Sequence, residues 1–549
     1  MSGDDFGGTY ALSRPVCATS EAPVQIEAHA VGVEKQFTAA REKFDVLAAR
    51  LGSAETMSMT HSEVESLVEV EGREVLRQLI QEHLHLRADA DAKASARMPA
   101  IAGADAVIRT HRRERERPLL TLLGKVTVAR TGYGARGSES LHPLDAQLNL
   151  PEERYSHGIR KRLAEEVARG AYDEAIAALA RHSGVIVPKR QAEQMAQRAA
   201  ADFEAFYAAR HAASAAEEAN TGELVVLTSD GKGVPMRKEH LREETRKAAE
   251  AENHRLSKRL SKGEKPHRKR MATVAAVYTI NAWHRSAEDV IAELRPVEDV
   301  AKKQKRPVPE KKRVWANLEK DVEPVLRDVF AEAIRRDPRR EKKWVALVDG
   351  NPTQLRLLRK LSKEFGVGLT IVVDVIHVTE YLWKAAWAFH SEGDKAAESW
   401  VNKRLLEVLR GHASEVAGGI RRSATLRGLT GKNRRAVDTT AGYLLKYRRY
   451  LNYDEYLAAG LPIATGVVEG ACRYLVKDRC EVTGAHWSVL GAEAVLRLRS
   501  LRASGDFEAY WRFHLKQEHA RNHVARYEGP VPTSPTPSSS RAPHLRVVK

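Results

Sequence analysis

The chain has 549 residues, 43% hydrophobic and 30% charged, which is too much for one ordinary core and points to several domains. Lys and Arg number 90 against 73 Asp and Glu, a formal charge of +17 that suits a polyanionic partner, nucleic acid before others. Three cysteines, Cys17, Cys472 and Cys480, are too few for a disulfide framework or a four-Cys zinc site and fit a reducing cytoplasm. The polar start MSGDDFGGTY is unlike a signal peptide, and no run of eighteen apolar residues predicts a membrane span.

Residues 1–24 are rich in Gly, Ser, Thr and Pro and are expected to be disordered. Residues 25–118 read as a helical region. Its pattern covers 28–51 and 61–96, where Val64, Leu67, Val68, Val75, Leu76, Leu79, Ile80 and Leu84 recur at three- and four-residue steps. RTHRRERER at 109–117 reads as a solvated charged run. Residues 119–130 read as a short strand or hairpin, and TGYGARGSESLHPLD as a loop.

Residues 119–215 are assigned to a DNA-binding region. Within it, 172–181 predicts one helix, HSGVIV a turn, and 188–200 a second helix with Pro188 in its first turn. The second helix carries Lys189, Arg190, Gln191, Gln194, Gln197 and Arg198. The span 172–200 is therefore a candidate helix-turn-helix whose second helix can enter a major groove, with a plain helical hairpin as the alternative.

At Glu223 the period changes. LVVLTSDGKG at 224–233 is a continuous apolar run, as in a strand covered on both faces, and it delivers Asp230 to its C-terminal end. The charged segment 237–270 reads as an exposed helix or mobile loop, and 271–280 as a partner strand. A Lys-rich loop at 302–313 leads to a helix at about 316–336. KWVALVDGNP at 343–352 is a second strand, which delivers Asp349. A helix at 353–365 and a strand at 369–376 complete a βαβ pattern of parallel pairing. The core thus spans 220–377. Residues 378–460 form a helical insertion, 461–515 return to the core with a helix from near Val467 to Leu501, and 529–549 form a disordered Pro/Ser-rich tail.

Phosphoryl transfer at a DNA phosphodiester needs an activated hydroxyl, a stabilised leaving oxygen and in-line geometry, which a pair of divalent ions provides. Magnesium takes hard oxygen ligands from a few carboxylates. Asp230 and Asp349 meet that need if their strands are adjacent, and Glu469 can supply a third carboxylate. Taken singly, Asp-Gly after a strand is also an ordinary turn, and Glu469 an ordinary solvated helix acid. Lys232, Arg473, Lys477 and Arg479 lie beside these acids in sequence and suit phosphates. Asp374 and His377 form an Asp-x-x-His step. It is either structural or a support for the metal carboxylates, and Asp374 is the main rival to Asp349.

The segments SDGKGVPM, ALVDGNPTQ, DVIHVTEYLWKAA and TGVVEGACRYLVKDRCEVTGAHWSVLGAEAVLRLRSL resemble the ISKra-type insertion-sequence transposases of bacteria, over roughly residues 120–515. The resemblance implies an α/β fold: a ribonuclease-H-like mixed sheet core with a helical insertion, preceded by a mostly helical DNA-binding region. It implies a DDE transposase in which Asp230, Asp349 and Glu469 are catalytic and hold Mg2+, two ions with Mn2+ as a substitute, supported by Asp374 and His377. It adds His486 and Trp487 as residues that contact DNA or close the site. The implied partners are the element's terminal inverted repeats, target DNA and further copies of the chain, at the nucleoid in the cytoplasm and away from membranes. Relatives carry a Cys pair in the loop before PLD. This loop has none, so no zinc module is expected there. The alternatives are a structure-selective nuclease or resolvase of the same fold, and a domesticated DNA-binding regulator.

Overall fold

The computed structural model describes residues 36–213, 221–251, 268–293 and 306–532. Expectations for 1–24, 28–35, 252–267, 302–305 and 533–549 fall outside these residues. The chain divides into two units, Met1–Leu86 and Arg87–Lys549.

In the first unit, helix α1 (Thr38–Leu51) lies along the part of helix α2 (His61–Arg97) that belongs to it. The Glu82 carboxylate accepts from Ala39 N at 3.0 Å and Ala40 N at 3.1 Å. These are first-turn N–H groups with no partner in their own helix, and an acid there also favours the helix dipole. The periodic apolar row of α2 is largely open: Leu84 is buried, whereas Val68, Leu76, Leu79 and Ile80 are exposed.

The second unit begins with a three-stranded antiparallel sheet of β1 (His111–Thr121), β2 (Gly124–Ala135) and β3 (Ser138–Leu141). The charged run and the Gly-rich stretch after it are therefore strands, and the helical region expected over 25–118 ends earlier, with α2. Charge alternation in HRRERER has period two, so it fits an extended ribbon as well as a solvated helix face. The far end, with Leu119, Val126 and Val128 buried, anchors the ribbon.

Four helices follow: α3 (His157–Arg169), α4 (Tyr172–Ser183), α5 (Lys189–Ala199) and α6 (Phe203–Ala212). The two helices and the turn expected over 172–200 are present as α4 and α5, with Gly184 left-handed at φ 68° and Pro188 as N-cap.

A five-stranded mixed sheet forms the centre: β4 (Leu224–Pro235), β5 (Lys269–Ile280), β6 (Glu310–Asn317), β7 (Lys343–Val348) and β8 (Leu369–Val373), in the order β8-β7-β4-β5-β6. β4, β5 and β6 are antiparallel, while β7 and β8 add in parallel beside β4. Leu224, Val225, Val226 and Leu227 are each at most 1% exposed, as a strand covered on both faces requires.

Three boundaries differ from expectation. β4 runs past Asp230 to Pro235, because β5 pairs with it over its full length. β6 occupies 310–317, where the Lys-rich loop and the start of a helix were expected, and helix α7 begins only at Val322 (Val322–Arg336). β8 stops at Val373 because the Asp374 side chain caps the next helix by accepting from Ile376 N at 2.8 Å.

Helix α8 (Pro352–Phe365) joins β7 to β8. The insertion comprises α9 (Val375–Phe389), α10 (Lys395–Leu409), α11 (Ala413–Leu426), α12 (Gly431–Tyr447) and α13 (Tyr453–Ala458). Its ends meet, since Val375 N donates to Ile463 O at 3.0 Å. The last segment is two helices rather than one. α14 (Gly466–Ala471) continues through a π-helical stretch at Cys472–Lys477, and α15 (Val489–Ser504) starts after a break at Gly484, φ 67°. α16 (Phe507–Asn522) follows.

Candidate active site

Strand register brings the aspartates to one edge. The parallel ladder of β4 with β7 ends at Thr228–Leu347, and that of β7 with β8 at Val348–Val373. Continued past those last pairs, the same rows reach Asp230, Asp349 and Asp374. The backbone prolongs the pattern, with Asp374 N donating to Val348 O at 2.9 Å.

The helix carrying Glu469 crosses this edge. Cys472, one turn after Glu469, donates its thiol to Asp230 Oδ2 at 3.4 Å. Burial and the Asp230 carboxylate push that thiol up, so it stays protonated at neutral pH. Thr465 Oγ1 joins Asp374 Oδ2 to Glu469 Oε1, the latter at 3.2 Å. Asp374 is fully buried, and burial raises its pKa against the pull of its hydrogen bonds from Thr465 and Ile376. Glu469 is also raised, by burial first and then by Asp374, with Asp230 adding to the push. One carboxylate feeling two others is the electrostatics of a site short of positive charge.

Of the predicted acids, Asp230 is linked to the Glu469 helix through Cys472, and Glu469 is linked to Asp374 through Thr465. Asp349 shares the edge, but its Oδ1 accepts from Asn351 N at 2.8 Å, in the turn that caps α8. Among the described residues, the tightest set of potential metal-ligating atoms is on Asp374, His377 and Glu469, within 4.8 Å of one another. The two carboxylates suit Mg2+ or Mn2+, whereas direct ligation by the His377 imidazole favours Mn2+ or another borderline ion over Mg2+. Gly350 has φ 95°, and a Cβ there would stand 3.3 Å from the Tyr447 ring. Gly350→Ala is expected to cost about 1–3 kcal/mol from the left-handed backbone alone, read as a lowered midpoint in urea unfolding.

Thr465 and Cys472 were not singled out from sequence. The spacing of Thr four residues before Glu in TGVVEG is a signal, since these positions share a helix face, whereas nothing local marks Cys472 as a neighbour of Asp230.

The proposed DNA contacts divide. Arg473, Lys477 and His486 are exposed and Lys232 is half-buried, all in reach of solvent. Arg479 and Trp487 are each 8% exposed. The guanidinium of Arg479 stacks 4.7 Å from the Trp487 ring and 5.4 Å from that of Tyr172, and Trp487 Nε1 donates to Cys480 O at 3.1 Å. Both side chains thus sit in buried packing contacts, unlike the exposed cations assigned with them. The Trp487 backbone also flanks the end of β4, with its N–H donating to Pro235 O and its carbonyl accepting from Arg237 N. On α5, Lys189 pairs with Asp173 and Arg198 with Glu153, while Arg190 and Gln194 stay exposed.

The raised acids set a pH-dependent test. A carboxyl held above its ordinary range adds stability while protonated, and that contribution is lost as pH rises through the shifted value. A divalent cation at Asp374 and Glu469 relieves the same repulsion. Mg2+ or Mn2+ is therefore expected to raise the melting temperature at neutral pH, with the increment fading as acid protonates the two groups. Differential scanning fluorimetry with and without the ion across pH reads this; an ion-independent melting temperature at every pH would oppose it.

No protein-family model and no curated protein matches the chain.

Proposed function

We propose that the chain is a DDE transposase with a ribonuclease-H-like core, which binds the terminal inverted repeats of its element, cleaves DNA strands and joins them to target DNA. The main support is the row of acids at one end of the mixed sheet, Asp230 in β4 and Asp349 and Asp374 directly after β7 and β8, with Glu469 on a helix that follows an all-helical insertion. The sheet itself, three antiparallel strands extended by two parallel ones, fits the mixed core that the sequence resemblance implies.

In this reading Asp230, Asp349 and Glu469 hold the divalent ions, with Asp374 and His377 against them. Bound there, the metal supplies Lewis acidity for the attacking hydroxyl and the leaving oxygen. Thr465 Oγ1 lies between Asp374 and Glu469, its single O–H donating to one carboxylate at a time. Arg473 and Lys477, exposed on the helix beyond Glu469, neutralise phosphates beside the scissile one.

The test is strand cleavage and strand joining on duplexes bearing the inverted repeats that flank the coding region, with Mg2+. Joined products bear the reading out. Cleavage without joining turns it to a nuclease or resolvase, and specific binding without cleavage to a regulator.

A further inference from the structure

The charged ribbon of β1 and β2 plays no part in the acidic site. In β1 the first six residues, His111 to Glu116, are all exposed, while the partner residues Thr131 and Tyr133 on β2 are buried and hold the ribbon to the body of the protein. Alternation sorts its charges: His111, Arg113 and Arg115 share one face, and Arg112, Glu114 and Glu116 the other. On the partner strand His111, Arg113 and Arg115 face Gly134, Gly132 and Arg130. The first face therefore has a cationic row over a floor of glycine backbone.

That face lines an open groove of about 670 Å³ with His111, Arg113, Arg115, Arg130, Arg136 and His142 around it. Glu116 is the one carboxylate on its lining. Gly132 leaves the floor open, since a Cβ there would crowd His142 Nε2 at 3.0 Å. Burial first and then Arg130 depress His142 to about 4, so at neutral pH its ring is neutral. Arg130 is tied to Asp145 at 3.1 Å. Arg113, Arg115 and Arg136 stand exposed. Six residue steps from His111 to Arg117 extend about 20 Å, long enough to lie along several phosphates of a duplex.

We infer that the Arg113–Arg115–Arg136 face of this hairpin is a docking surface for the phosphate backbone of duplex DNA, separate from the acidic site and from the helix pair α4–α5. Charge complementarity selects the partner: a duplex presents the dense, regular phosphates that a row of guanidiniums two residues apart can meet without reading bases. The inference rests on the reading of the chain as a DNA-acting protein.

Full-length protein titrated into a fluorescein-labelled duplex across a salt series tests it. R113A/R115A/R136A is expected to weaken binding about 10- to 100-fold at moderate salt and to lower the slope of log K against log salt by about 2–3, with R115A alone lowering it by about 1. The charge-matched control R339A/R340A/K343A removes three exposed cations at the amino end of β7, away from the acids, and is expected to stay near wild type. Circular dichroism melts of the triple variant matching wild type keep the comparison valid. An unchanged salt slope in the triple variant, an equal loss in the control, or wild-type protein that does not bind duplex would each overturn the inference. The two readings fail separately. A chain that binds through the ribbon but neither cuts nor joins loses the transposase reading and keeps the ribbon. A chain that cuts and joins undisturbed by the triple substitution does the reverse.

Discussion

Asp230→Ala, Asp349→Ala and Glu469→Ala are each expected to lower Mg2+-dependent strand cleavage by about a thousandfold or more, with duplex binding retained. The magnitude follows from removing one ligand from a site that contributes several kcal/mol of charge stabilisation, where about 1.4 kcal/mol is a factor of ten in rate. Binding is retained because each removed group is an acid and repels phosphate. Glu469 is exposed, and Asp230 and Asp349 are half-buried, so none of the three substitutions opens a large cavity. Asp374 needs a gentler change, since its side chain also caps α9. Asp374→Asn keeps an oxygen for Ile376 N and removes the charge. Gel-based cleavage of labelled ends reads all four. Full activity in Asp349→Ala together with loss in Asp374→Asn would move the second metal position from one strand end to its neighbour.

Glu332→Ala is expected to destabilise the second unit by about 3–5 kcal/mol, the usual cost of leaving buried charges uncompensated. Glu332 on α7 is fully buried. Its Oε2 accepts from Arg313 at 2.8 Å and meets His211 Nε2 at 3.0 Å, and its Oε1 accepts from Arg335 at 2.7 Å and from Arg336 at 2.8 Å. Arg313 is further held over the Tyr207 ring, 3.4 Å from its centroid. Burial alone would raise the Glu332 pKa, but the surrounding guanidiniums and His211 outweigh it and hold it well below the carboxylate range. A depressed acid contributes stability above its unfolded pKa and loses it as pH falls through the folded value. Wild type should therefore lose stability on strong acidification, and Glu332→Gln should lose most of it at neutral pH already. Urea unfolding followed by tryptophan fluorescence measures both. A loss below about 1 kcal/mol in Glu332→Ala would mean that the arginines reach water once the carboxylate is gone.

Residues whose neighbours in sequence are also their neighbours in space were readable before folding. The apolar runs ending near Asp230 and Asp349, the helix pair at 172–200 and the all-helical 378–460 belong to this class, because period and punctuation are local. The hidden parts depend on distant partners. β6 carries Glu310, Lys311, Lys312 and Arg313, and it is a strand because β5 pairs with its inner residues, Arg313 to Asn317, all of them buried. HRRERER has the same composition whether it is a helix face or a ribbon, and only the register against Gly132 and Gly134 decides. In the site, residue types pointed to acids at strand ends. The choice between Asp349 and Asp374 turns on side-chain direction, which Asn351 and Thr465 set from outside the strands. The Glu332 cluster draws on α6, β6 and α7 and leaves no mark in any one window.

The hydrogen bond from Val375 N to Ile463 O makes the whole insertion an excursion that leaves and returns at a single point. In polymer terms its length then hardly matters to the site. Closing a loop costs only about 0.6 kcal/mol more for each doubling of its residues, so the acidic edge is nearly indifferent to how much chain hangs between its third and fourth carboxylates. What the edge does register is the few side chains the excursion sends back, with Tyr443 Oη donating to Asp349 O at 3.4 Å and Tyr453 Oη to Val373 O at 2.7 Å. Length alone therefore leaves the edge untouched, whereas losing those tyrosines, or Tyr447 against Gly350, would reach it.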